Sequence, residues 1–68
     1  MSMLEEEFQV GDRVVYLGFD EPVLGTVFRV NIEISKKSPD AIEKRTYDIQ
    51  LDGGGTLVGM ERDVKRAP

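Results

Sequence analysis

The stretch from Arg45 to Leu51 limits the possible architecture more than any other. Tyr47, Ile49 and Leu51 alternate with Thr46, Asp48 and Gln50. A period of two is that of a half-buried β-strand, because successive side chains leave opposite faces of the pleat. Asp52-Gly53-Gly54-Gly55 follows at once, then Thr56-Leu57-Val58-Gly59-Met60. A short reversal between two strands requires positive backbone φ, which glycine enters cheaply, so at least one of the three glycines is expected there. The segment therefore predicts a β-hairpin.

The rest of the chain extends this pattern. Gln9-Val10-Gly11-Asp12 is a turn signal, since glycine reaches positive φ and an aspartate side chain can bind the backbone beside it. Arg13 to Leu17 is rich in β-branched and aromatic residues and reads as strand one. Gly18 to Pro22 reads as a loop. The run from Val23 to Ile34 is the longest β-type stretch. Within it Val30, Ile32 and Ile34 share one phase and Val27 takes the other. A phase change inside one strand implies a bulge or sharp bend near Phe28-Arg29. Beyond Arg29 this strand is expected to outrun its partner and leave an open edge. Ser35 to Lys44 is polar, contains Pro39, and reads as a long mobile loop. Glu61-Arg62-Asp63 suits one 3₁₀ turn, and Val64-Lys65 a short closing strand. Strand alternation puts Val14, Tyr16, Val27, Val30, Ile49, Leu51 and Val64 in the core. Residues 1–8 form an acidic N-terminal segment and residues 9–66 one β domain.

Composition narrows the functional classes. The 68 residues include no Cys and no His. No disulfide can cross-link the fold, and a zinc site would have carboxylates alone, which zinc sites rarely use. No cofactor and no metal are expected. Without His there is no His-dependent serine triad for Ser35 or Ser38. Asp52–Gly55 is not a phosphate loop, because a strand rather than a helix N-terminus follows it. The carboxylates Asp20 and Glu21, or Asp48 and Asp52, have no nucleophile beside them, so no catalytic residue is assigned. The chain opens Met-Ser-Met-Leu-Glu-Glu-Glu, without a basic leader, and no apolar run approaches the ~20 residues of a membrane span. Those features suggest a cytoplasmic protein that does not enter a membrane. The net charge of -4 disfavours broad nucleic-acid binding. The charge is uneven, however. Residues 1–28 carry six acids and one base, and residues 29–68 carry eight bases and seven acids.

Gly11-Asp12-Arg13-Val14-Val15-Tyr16, Gly25-Thr26-Val27 and Tyr47-Asp48-Ile49-Gln50-Leu51-Asp52-Gly53-Gly54 together resemble the strand signals of the SH3-like small barrels. Tudor, KOW and agenet domains share this "G-D-x-V", "G-x-V" and "Y-x-I-x-x-D-G" pattern. The resemblance spans roughly residues 9–66. It implies an all-β, five-stranded SH3-like half-open barrel with a short 3₁₀ turn before the last strand. It says little about function, because this fold hosts many. Tudor-type binding of a methylated cation would need an aromatic cage. The candidates are Tyr16, Phe19, Tyr47 and Asp52, but both tyrosines fall on inward strand phases and serve the core. KOW-type binding of RNA or DNA would draw on Lys36, Lys37, Lys44, Arg45, Arg62, Lys65 and Arg66, which acidic residues interleave.

The leading reading is a non-catalytic protein- or peptide-binding module. Val15 and Leu17 lie on the face opposite Val14 and Tyr16, with Phe19 and Leu24 nearby. So small a domain cannot hide all of them. Val15, Leu17, Phe19 and Leu24 are therefore the candidate partner-binding surface, for another protein or for a homodimer. The alternative is a KOW-like nucleic-acid module, and the third reading is a small accessory subunit of an enzyme complex.

Overall fold

The computed structural model describes residues 7–35 and 42–68, with the side chains of Ser35 and Ile42 excepted. In chain order these form β1 (Arg13–Tyr16), β2 (Val23–Ser35), β3 (Ile42–Leu51), β4 (Thr56–Met60), a 3₁₀ turn (Glu61–Asp63) and β5 (Val64–Arg66). The strands make one sheet in the order β4-β3-β2-β1-β5. Every neighbouring pair is antiparallel, and among the described residues the sheet is not closed into a hydrogen-bonded ring. No helix among the described residues is long and apolar enough to cross a membrane.

Two tight turns hold the register. At the β3–β4 turn the Leu51 N–H donates to the Gly55 carbonyl at 2.9 Å, and the Gly54 N–H to the Leu51 carbonyl at 3.1 Å. Gly54 and Gly55 adopt φ of 110° and 85°, conformations a side chain would strain. Ahead of β1, the Gln9 N–H donates to Asp12 Oδ2 at 2.8 Å. The Asp12 N–H returns to the Gln9 carbonyl at 3.0 Å. This closed turn presents the Gly11 N–H to the Val27 carbonyl at 2.8 Å, joining it to β2.

The phase change in β2 is a bulge. The register with β3 runs Gly25↔Leu51, Thr26↔Gln50, Val27↔Ile49, then resumes at Arg29↔Asp48, so Phe28 has no opposite residue. One extra residue moves the inward phase from Val27 to Val30. Both side chains can then face the same core.

That core holds Phe8, Val14, Val27, Tyr47, Ile49 and Val64, with Tyr16, Val30, Leu51 and Leu57 packed against it and partly buried. Complete burial of an aliphatic or aromatic side chain contributes about 1.5–3 kcal/mol. Tyr16, Val30 and Leu51 are thus less enclosed than alternation suggested, being only partly buried at the margin of the core. Phe8 is the unforeseen member. Its ring meets Tyr47 edge-on at 5.6 Å and 74°, and its N–H donates to the Tyr47 hydroxyl at 3.2 Å. The residues just before the first turn therefore cap the core.

Of two expectations about β2 and the segment after it, one needs correction. The connection after β2 is shorter than Ser35–Lys44, because Ile42, Glu43 and Lys44 belong to β3, opposite Ser35, Ile34 and Glu33. Cross-strand pairing holds Glu43 and Lys44 extended despite their polarity. The mobility expected of this loop now concerns residues 36–41, which lie outside the described residues. The second expectation stands: β2 outruns a partner strand, since its register with β1 ends at Arg13↔Thr26 while that with β3 continues to Ser35↔Ile42. Likewise β3 outruns β4, whose register ends at Thr46↔Met60. Residues 28–35 and 42–45 therefore form a two-stranded arm beyond the sheet.

Candidate functional site

Val15 and Leu24 face each other across β1 and β2, which puts both side chains on the outer face. Val15 is half-buried and Leu24 is 43% exposed. Leu17 follows one step beyond β1 and is tied by its N–H to the Asp63 carbonyl at 2.8 Å. Alternation places it on the Val15 side, and it too is exposed. Phe19 goes elsewhere. Its ring packs edge-on against Tyr16 at 5.1 Å and 78°, on the other side of β1. The structure thus gathers Val15, Leu17 and Leu24 and separates Phe19 from them.

Leu24 also borders a groove of about 450 Å³ lined by Pro22, Val23, Leu24, Leu51, Asp52, Gly53 and Gly54. The start of β2 forms one wall and the β3–β4 turn the other. The Asp52 N–H to Leu24 carbonyl bond, 3.0 Å, ties the two walls together. Beside it Arg13 binds Asp52 through two 2.7 Å contacts and donates to Thr26 Oγ1 at 3.1 Å. The hydrogen bond from Arg13 holds the Asp52 carboxyl below its usual range, and the same bond raises Arg13. This pair braces one rim of the groove.

Tyr16, Phe19, Tyr47 and Asp52 do not converge on a cage. Tyr47 is fully buried with its hydroxyl accepting from Phe8, and Asp52 is engaged by Arg13. No ring face of Tyr47 is open to a cation.

The basic candidates divide. Lys44, Arg45 and Arg62 line a cleft of about 160 Å³ with Thr46, Met60 and Glu61, where β3 passes the end of β4. Lys65 and Arg66 stand on β5, at the opposite end of the strand order, and Arg66 lies 5.4 Å over the Phe8 ring. Lys36 and Lys37 lie outside the described residues. Arg45 is only 14% exposed and binds Glu7 at 3.0 Å and Glu43 at 3.1 Å. Its hydrogen bond to Glu7 raises it well above the ordinary arginine range, against the lowering effect of burial. Its Nε is buried without an acceptor among the described residues.

Ile32 and Ile34, on the arm, are 53% and 55% exposed. They continue the phase of Val30, which pairs with buried Tyr47, so the core face runs on into solvent. The long alternation of β2 was the sequence signal for this face. No group of three or more potential metal-binding side chains occurs among the described residues. The chain matches no known protein family, no curated protein and no solved structure.

Proposed function

We propose that this chain is a non-catalytic module that binds a protein segment or peptide along the groove between Pro22–Leu24 and Leu51–Gly54. The observation that carries the reading is the continuity of that groove with Leu24 and its outer-face neighbour Val15. Concave apolar surface beside a few fixed polar groups is the usual form of a recognition site. Here Arg13 and Asp52 supply the polar rim. The strand order and the 3₁₀ turn before β5 accord with an SH3-like half-open barrel, and the proposal adopts that fold.

Backbone amide shifts recorded against a panel of proline-containing and apolar peptides test this reading. Movement should centre on residues 22–24 and 51–54 and reach 15–17. Leu24→Ser should weaken the best peptide about tenfold while leaving the fold intact, because an exposed apolar anchor contributes more to binding than to stability. A panel in which no peptide moves these residues overturns the proposal.

A second reading is favoured by the Lys44, Arg45 and Arg62 cleft, which a KOW-like nucleic-acid module would use for phosphate contacts. The net charge of -4 opposes it, as does the engagement of Arg45 by two carboxylates. Single-stranded RNA and duplex DNA belong in the same titration. Shifts confined to residues 44–46 and 60–62 would favour this reading over the groove.

A further inference from the structure

We propose that the free edge of β2 is a self-association surface, on which a second copy of the chain adds its own β2 antiparallel to the first. On the side away from β3, the last described links of β2 are those of Val27 with Gly11 and Asp12. From Phe28 to Ser35 that side has no strand partner among the described residues. Unpaired backbone donors and acceptors in extended conformation are a template for another strand. Two identical edges satisfy each other around a two-fold axis.

Face matching restricts the register. Val30, Ile32 and Ile34 point to the core face, and Arg29, Asn31 and Glu33 to the outer face. Antiparallel partners must share a face, or every side chain inverts. With Asn31 on the axis, Arg29 meets Glu33 of the second copy, and Glu33 meets Arg29 of the second copy. Val30 then meets Ile32 of the second copy, and the exposed isoleucines of both arms form one apolar row. With Ile32 on the axis, Arg29 would face a serine and Glu33 an asparagine, with no ion pair. Charge complementarity therefore selects the Asn31-centred register. Arg29 is free to take part: its side chain is 67% exposed and its contact with Asp48 is a long 3.7 Å. The Phe28 bulge ends the pairing strip, as bulges do at sheet edges.

The strip is short. It covers less than the ~1,200 Å² typical of a stable interface, so the expected dissociation constant is on the order of 100 µM.

Sedimentation equilibrium of the full chain, from about 10 µM to about 1 mM to bracket that constant, tests the surface. The native chain should pass from monomer to dimer. Arg29→Glu and Glu33→Arg should each weaken the dimer about tenfold, because each places like charges opposite. The two variants mixed in equal amounts should form a heterodimer of native strength, since glutamates of one then face arginines of the other at both ends. Mixing leaves every contact within a chain unchanged, so recovery cannot come from refolding of the arm. Circular dichroism confirms that each variant is folded beforehand. A native chain that remains monomeric throughout overturns the proposal. So does a dimer indifferent to both reversals, or a mixture no stronger than its components. None of these results bears on the groove, whose peptide titration is run on dilute monomer.

Discussion

Arg13 and Arg45 both sit beside carboxylates, yet they do different work because of where they stand. Arg13 lies on the solvent side of β1, half exposed, and its two bonds to Asp52 reach from β1 to the β3–β4 turn. Arg45 occupies an inward phase on the arm, opposite Ile32, and needs Glu7 and Glu43 to offset the loss of water. The Arg13–Asp52 pair makes stability depend on acid. Asp52 is held below its unfolded value of about 3.9. Its contribution is therefore present above that pH and is lost as pH falls through the lower folded value. Asp52→Asn should melt below the native chain at neutral pH. The gap should close as the pH drops under about 3.9 and narrow in high salt, as expected for an exposed pair. A gap that persists unchanged in strong acid would show that the pair contributes nothing through charge.

Among the elements, β2 has the most demanding task, since it pairs with β1, crosses the bulge and continues into the arm. Where it lies between β1 and β3, ahead of the bulge, it relies on Gly25. A Cβ there would stand 2.6 Å from the Gln50 carbonyl oxygen and 2.6 Å from Ile49 Cγ2. One of these is backbone and the other is core, so neither can step aside cheaply. Gly25→Ala should cost about 1–3 kcal/mol by overpacking, read as a lower urea midpoint at an unchanged m-value. Gly53→Ala is the control: nothing lies within 4 Å of its Cβ position, and it is not among the positive-φ glycines. It should be close to neutral. Equal effects of the two substitutions would contradict the close approach of β2 and β3.

At the scale of the whole molecule, stability is not spread evenly. The buried residues Val14, Val27, Tyr47, Ile49 and Val64 come from β1, β2, β3 and β5, with Phe8 closing over them. Among the described residues the arm has two strands, and isolated two-stranded ribbons are marginal in water. Amide exchange on dilute monomer should show this gradient. Amides bonded between β2 and β3 in residues 30–34 and 43–45 should exchange at least about tenfold faster than those in 25–27 and 47–51. Uniform protection along β2 would mean that the arm is held by something other than its own pairing.

The sequence alone determined those features that arise from neighbours along the chain. The alternation of Tyr47, Ile49 and Leu51, the glycine turn after it, the Gln9–Asp12 turn and the 3₁₀ turn were all legible, because side-chain period and φ preference act within a few residues. The bulge was legible too, since moving the apolar phase from Val27 to Val30 has no other simple cause in a strand. The tertiary structure decided what depends on distant partners. Phe8 joins the core through Tyr47, 39 positions away, and no local period marks it. Glu43 and Lys44 are strand residues only because β2 stands opposite them. Phe19 parts from Val15 because the chain after β1 turns it onto Tyr16. Lys44 and Arg62 share a cleft because β4 stops where β3 continues. Local pattern sets which face a side chain takes; the ends of neighbouring strands set whether that face is covered, and by what.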